Sequence, residues 1–83
     1  MSAERAARAL TTITGAEWRV AGDSEFSHGK PVCDGNCEFD AMTDLLPTMK
    51  IALAVTTPHG GKQFVAEEYD VGILEARARK IHR

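Results

Sequence analysis

The sequence predicts an α+β domain: a three-stranded, mainly antiparallel sheet with packed helices, in the order α-β-loop-α-β-β-α. Two patterns predict this class. Apolar residues recur at helical spacing near both ends of the chain, and two extended runs flank the turn-forming sequence TPHGG. With only 83 residues, the chain is expected to form one small domain over residues 1–83.

The N-terminal part of the chain predicts a helix followed by a strand. The segment SAERAARALTTIT, residues 2–14, places its apolar side chains on one helical stripe. Ser2 is suited to be its N-cap, and Gly15 can adopt the left-handed conformation that ends a helix. The next segment, AEWRVAG, alternates apolar with charged side chains, which predicts a half-buried strand.

The middle of the chain predicts a long loop and a short helix. Residues 23–38 show no apolar period and are interrupted by Gly29, Pro31 and Gly35. A structureless loop of this length is uncommon in a compact domain unless it has a function. The segment DAMTDLLPTM, residues 40–49, has apolar residues at helical spacing, and Pro47 should end that helix.

The C-terminal half predicts a β-hairpin and a final helix. In MKIALAV, the residues Ile51, Leu53 and Val55 alternate with others and are expected to form one covered face. After the turn, KQFVAEEY continues as the second strand. The segment DVGILEARARKIHR predicts a helix with Asp70 as N-cap and an ion pair between Glu75 and Arg79. Its apolar stripe comprises Val71, Leu74, Ala78 and Ile81.

Charge is distributed unevenly along the chain, although the formal net charge is only −2. Residues 23–48 contain six acidic side chains and one lysine, a local sum of −6 + 1 = −5. Residues 71–83 contain four basic side chains and one glutamate, a sum of +4 − 1 = +3. The chain is therefore not basic enough overall to predict a general nucleic-acid binder.

The acidic middle segment is the predicted contact surface for another protein. Apolar side chains beside a charged rim are typical of protein interfaces. We therefore expect a small non-catalytic interaction module, such as an inhibitor that occupies a basic, nucleic-acid-handling site on a larger protein. The thin core of so short a chain also favours a protein partner or a homodimer. The predicted partner-binding residues are Phe26, Asp34, Glu38, Phe39, Asp40 and Asp44.

A metal or thiol redox module is the alternative. Zinc takes thiolates and imidazoles as ligands, and the candidate set is His28, Cys33, Cys37 and His59. Three residues separate the two cysteines, whereas zinc knuckles and thioredoxin-type sites favour two. We therefore expect no cofactor and free thiols in a reducing cytoplasm, with the cysteines as structural residues.

A third hypothesis is nucleic-acid binding by the basic C-terminal helix. Its cations are spread around the helix, and no aromatic side chain lies among them to stack on bases. Nucleic acid is therefore not the expected partner. The chain has no spacing typical of catalytic residues and no apolar run of about 20 residues. It is expected to be neither an enzyme nor a membrane protein, and to be cytoplasmic.

Overall fold

The computed structural model describes residues 2–34 and 50–81 of the chain. Two helices and four strands lie within them. Their order is α1 (Ala3–Thr14), β1 (Trp18–Val20), β2 (Pro31–Cys33), β3 (Lys50–Thr56), β4 (Lys62–Glu68) and α2 (Val71–Ile81). The helix predicted for residues 40–49 falls outside the described residues.

All four strands belong to one antiparallel sheet in the order β1-β2-β4-β3. Both helices pack on one face of this sheet, so the predicted α+β class and antiparallel pairing are confirmed. The sheet has four strands and not the expected three, because β2 lies within the segment predicted to be a loop. Pro31, Val32 and Cys33 are all buried, so this strand lacks the alternation by which strands are predicted. A proline is tolerated at Pro31 because it is the first residue of the strand.

Helix α1 begins and ends at the predicted residues. The backbone N–H of Arg5 donates to the Ser2 hydroxyl at 3.1 Å, and Gly15 has a φ of 73°. The helix is attached to β1 through Trp18, whose backbone N–H donates to the Thr11 hydroxyl at 2.9 Å. The Trp18 indole N–H donates to the Thr14 hydroxyl at 3.1 Å. The two threonines thus satisfy polar groups of a buried tryptophan and fix α1 against the sheet.

The predicted hairpin is confirmed, with β3 and β4 joined by residues 57–61. The backbone N–H of Thr57 donates to the Gly61 carbonyl at 2.7 Å, and Gly60 has a φ of 81°. The register of β3 is irregular between Ala52 and Val55. Such an irregularity changes which residues share a face. Val55 is half-buried on the face away from the helices, and the side chains of residues 50–54 lie outside the described part.

Helix α2 differs from its prediction at two positions. Its N-cap is confirmed, because the Asp70 carboxylate accepts from the Ile73 backbone N–H at 3.2 Å. Val71 and Leu74 are buried, but Ile81 is 56% exposed. Glu75 forms its salt bridge with Arg5 of α1 and not with Arg79. A partner on a neighbouring helix has therefore replaced the predicted partner one turn away.

The sheet has a hydrophobic cluster on each face. The larger cluster lies under the two helices and includes Leu10, Trp18, Cys33 and Leu74. The smaller cluster consists of Ala21, Val32 and Val65, with Val55 against it. No helix in residues 2–34 and 50–81 covers the smaller cluster, which is instead bordered by the connection between β1 and β2.

Candidate functional site

Within the connection between β1 and β2, residues 22–30 are folded compactly and are called the β1–β2 loop below. The backbone N–H of Ala21 donates to the Lys30 carbonyl at 3.0 Å, and Gly29 donates to the Ala21 carbonyl at 3.2 Å. Gly29 adopts a φ of 75°, which glycine accepts without strain. Within the loop, Lys30 donates to the Ser27 carbonyl at 2.9 Å. These bonds give the predicted loop a defined conformation beside the smaller cluster.

Arg19 holds this loop to the sheet through two carboxylates. Its Nη1 and Nη2 atoms donate to Glu25 at 2.5 and 2.6 Å, and its Nε and Nη2 atoms donate to Asp34 at 2.7 and 2.8 Å. The planar guanidinium can bind carboxylates by pairs of parallel bonds, which fixes orientation as well as distance. The Asp34 carboxylate also accepts from the Gln63 amide at 3.3 Å. Arg19 therefore connects β1, the β1–β2 loop and the end of β2.

These contacts change the ionisation of the groups involved. Hydrogen bonds from Arg19, and then from the Gly22 backbone, lower the pKa of Glu25 to about 2 from its ordinary value of 4.5. The hydrogen bonds that Arg19 donates to Glu25 and Asp34 raise the pKa of Arg19 above its ordinary value. Glu25 and Arg19 are consequently charged at any pH near neutrality, and the ion pair between them is intact there.

The lowered pKa of Glu25 predicts an acid-dependent loss of stability. The stabilisation is fully present above pH 4.5, where the carboxylate is ionised in both folded and unfolded chains. It is lost as the pH falls through about 2, the folded pKa. The melting temperature of Glu25→Gln should therefore lie below that of the wild type at pH 6, and the difference should shrink towards pH 2. Glu17→Gln, at an exposed position beside β1, is the control, and parallel wild-type and Glu25→Gln profiles would contradict the prediction.

Phe26 projects from the β1–β2 loop and is 65% exposed. It lines two clefts, which lie where the loop meets the β3–β4 hairpin. The first has a volume of about 310 Å³ and also includes Pro58, His59 and Gln63. The second has a volume of about 300 Å³, and Val55 and Val65 contribute to its lining. Phe26 with these two clefts is called the Phe26 surface below.

Charged and polar side chains surround this surface. Asp23 and His28 form a pair with Oδ1 and Nδ1 3.2 Å apart, and their side chains are 98% and 63% exposed. Lys30 and Glu67 are exposed on the rim of the second cleft. The arrangement is an aromatic side chain with apolar hollows beside it and a polar rim around it, which is the usual composition of a protein-binding patch.

The structure describes two of the six predicted partner-binding residues. Phe26 and Asp34 lie on the same side of the sheet, connected through Arg19 and through Gln63, which lines a cleft beside Phe26. Asp34 shares the single positive charge of Arg19 with Glu25, so its charge is partly compensated within the chain. The remaining four, Glu38, Phe39, Asp40 and Asp44, fall outside the described residues.

The candidate metal ligands are not brought together where the structure describes them. Cys33 is buried in the larger cluster under the helices, whereas His28 and His59 line separate clefts on the opposite side. Cys33 is disulfide-bonded, so the expected free thiol is wrong at this position. A sulfur in a disulfide is not available as a thiolate ligand. Cys37, the other cysteine, lies outside the described residues, and no group of three metal-binding side chains occurs within residues 2–34 and 50–81.

Sequence reasoning did not identify Arg19 or the residues that line the clefts. Arg19 was expected only to face away from Trp18 in an alternating strand. Only the position of Arg19 in the strand could have indicated this role. It lies on the face opposite the buried Trp18, where a cation can bind carboxylates of the segment that follows. Val55, Val65 and Gln63 had no such signal, since their approach to Phe26 depends on the pairing of β2 with β4.

Comparison with protein-family models, curated proteins and solved structures gives no significant match for this chain. Neither α1 nor α2, the helices of the described part, has the length and apolar character needed to span a bilayer. A function has to be inferred from the chain's own surfaces.

Proposed function

We propose that this chain is a small, non-catalytic protein-binding module that contacts a larger protein through the Phe26 surface. The observation that carries the proposal is the 65% exposure of Phe26 on a loop that Arg19 cross-links to the sheet. A large aromatic side chain contributes most to binding when it is held in place before the partner arrives, because little conformational freedom is then lost. The clefts beside Phe26 can accept apolar side chains of the partner.

The partner's contact segment is expected to be basic as well as apolar. Residues 23–48 have a formal charge of −5. Arg19 binds two of their carboxylates, and adding its positive charge gives −5 + 1 = −4. Asp23 and Glu67 are exposed near Phe26 and can pair with cations of the partner. Complementary charge speeds the encounter of two proteins and selects among partners. An inhibitor that occupies a basic, nucleic-acid-handling site is the form of this function that we favour.

The chemistry of the described histidines supports a non-catalytic role. The Asp23–His28 pair is open to water, and His59 is exposed in the hairpin turn. General acid–base catalysis benefits from a site that excludes water and tunes the pKa of the catalytic group. The disulfide at Cys33 likewise argues against the zinc alternative, because a disulfide sulfur is not a thiolate ligand.

Substitution of Phe26 tests the proposal. The partner is first captured from a nuclease-treated lysate of the native host, so that nucleic acid cannot bridge the two proteins. Surface plasmon resonance then compares wild type with Phe26→Ala. We expect a loss of about 30-fold in affinity, corresponding to a hot-spot contribution of about 2 kcal/mol. The melting temperature should change little, because the side chain is already exposed.

Ile73→Ala is the matched control, because Ile73 is an exposed apolar residue, at 42%, on α2 and away from the Phe26 surface. It should bind the partner as the wild type does. Asp23→Asn with Glu67→Gln should reduce the association rate at low salt, and the reduction should shrink at high salt. Equal affinities of wild type and Phe26→Ala would show that the partner binds elsewhere.

A further inference from the structure

A third cleft lies between the two helices, on the face of the sheet opposite Phe26. It has a volume of about 360 Å³. One side is a stripe of α1 in which residues three or four apart face the same way, and the other side is the corresponding stripe of α2. The residues that line it are Arg5, Arg8, Ala9, Thr12, Glu75, Ala78 and Arg79.

The lining of this cleft is positively charged in a chain whose net charge is −2. It contains three arginines and one glutamate, a sum of +3 − 1 = +2. Glu75 forms a salt bridge with Arg5, which holds one guanidinium at the edge of the cleft. Arg8 and Arg79 are exposed, and neither has a carboxylate partner in the part of the chain that the structure describes. Two cations are thus available to a ligand.

The remaining lining residues are small or polar, so they provide space within the cleft and one hydroxyl group. Ala9 and Ala78 are small and keep the cleft open between the helices. The hydroxyls of Thr11 and Thr14 donate to backbone carbonyls of α1 at 2.9 and 2.7 Å. The half-buried Thr12 makes no side-chain hydrogen bond within residues 2–34 and 50–81, so its hydroxyl can bind a ligand.

The chemistry of the lining favours phosphate as a ligand. All three cations are guanidinium groups, whose planar array of donors matches the oxygens of a phosphate group. No aromatic side chain is among the seven lining residues, so a nucleobase would have no surface on which to stack. Several arginines around one small cleft favour an anion with adjacent phosphates over a single phosphate, because each phosphate can pair with a separate guanidinium.

We propose that the cleft between α1 and α2 binds the oligophosphate group of a ligand, through Arg8, Arg79 and the Thr12 hydroxyl, with Arg5 at its edge. The group is a di- or triphosphate, free or carried by a nucleotide, and it is recognised without its base. This site is independent of the Phe26 surface, which lies across the sheet. It goes beyond the proposed protein-binding function.

Isothermal titration calorimetry with sodium tripolyphosphate tests the site at constant ionic strength, with sodium sulfate as the reference anion. Wild type should bind tripolyphosphate in preference to sulfate. Arg8→Gln and Arg79→Gln should each weaken binding about tenfold, the loss expected for one charge-assisted contact. Lys80→Gln removes the same charge from an exposed residue of α2 that does not line the cleft, and it should bind as the wild type does.

Nuclear magnetic resonance on the wild-type protein tests the location without a substitution. Titration with tripolyphosphate should shift the backbone amides of Ala9, Thr12 and Ala78 and leave those of the β1–β2 loop unchanged. Adenosine and guanosine triphosphates should bind equally to each other and to tripolyphosphate, because the base makes no contact.

Three results would overturn the proposal: no preference over sulfate, an equal loss in Lys80→Gln, or shifts confined to other residues. A single-stranded oligonucleotide that binds more tightly than tripolyphosphate and shifts the same amides would identify a nucleic-acid backbone as the source of the phosphates, and would support the site. None of these measurements involves Phe26. A negative result for oligophosphate binding would therefore not contradict the protein-binding proposal, and a negative result for Phe26→Ala would not contradict the oligophosphate site.

Discussion

Val32→Asp is expected to unfold the protein at neutral pH. Val32 is fully buried in β2, between the neighbours Arg19 on β1 and Val65 on β4. Arg19 is already bound by Glu25 and Asp34, so a carboxyl group buried here would lack a free partner and its pKa would rise by up to 3–5 units. At neutral pH this costs about 4 kcal/mol, because the buried group can take up a proton, and the lost burial of the valine adds about 1.5–3 kcal/mol. A stability of 0.05–0.15 kcal/mol per residue gives about 4–12 kcal/mol for 83 residues. The substitution therefore removes most or all of the stability.

Thr56→Asp is the control for Val32→Asp, because it introduces the same side chain into the same sheet at an exposed position opposite Lys62. Circular dichroism during thermal unfolding should show a wild-type transition for Thr56→Asp and no cooperative transition for Val32→Asp. If residues 31–33 were the loop that the sequence pattern predicts, both variants would melt as the wild type does.

Leu74→Ala is expected to lower the free energy of unfolding by about 3 kcal/mol. Leu74 is fully buried in the cluster under the helices, together with Leu10 and Trp18. Truncation of a buried leucine removes its transfer free energy and leaves a cavity, which together cost about 2–5 kcal/mol. Urea denaturation followed by tryptophan fluorescence measures the change, because Trp18 is the only tryptophan.

Ile81→Ala is the companion to Leu74→Ala. Both residues were expected on one apolar stripe of α2, but Ile81 is 56% exposed. Its truncation should change the free energy of unfolding by no more than about 0.5 kcal/mol, the usual range for surface substitutions. Similar losses in both variants would mean that the stripe is buried along its whole length, as the sequence pattern predicts.

The elements with strong local signals were predictable from the sequence. Ser2 and Gly15 limit α1, Asp70 begins α2, and the TPHGG segment forms the turn of the hairpin. In each case a few adjacent residues decide the backbone conformation, through a side-chain cap or a tolerated positive φ. The backbone conformation at these positions therefore does not depend on the rest of the fold.

The features that arise from contacts between distant residues were not predictable. Strand β2 is three residues long and buried throughout, so pairing with β1 and β4 decides its conformation, and no pattern of its own reveals it. The Arg19–Asp34 contact joins residues 15 positions apart. Arg5 and Glu75, beside the cleft between the helices, are 70 positions apart. Composition could indicate an acidic segment, but not that Arg19 compensates part of it.

The contact of α1 with α2 also has a consequence for how the protein reaches its native state. Contacts between sequence-distant segments form slowly, because the entropy of closing the intervening chain must be overcome before they contribute. During translation, the apolar stripe of α1 cannot pack against α2, its helical neighbour within residues 2–34 and 50–81, until Val71–Ile81 have left the ribosome. Over that interval the side of α1 that faces α2 is accessible to chaperones and proteases, and its burial is completed only when α2 docks.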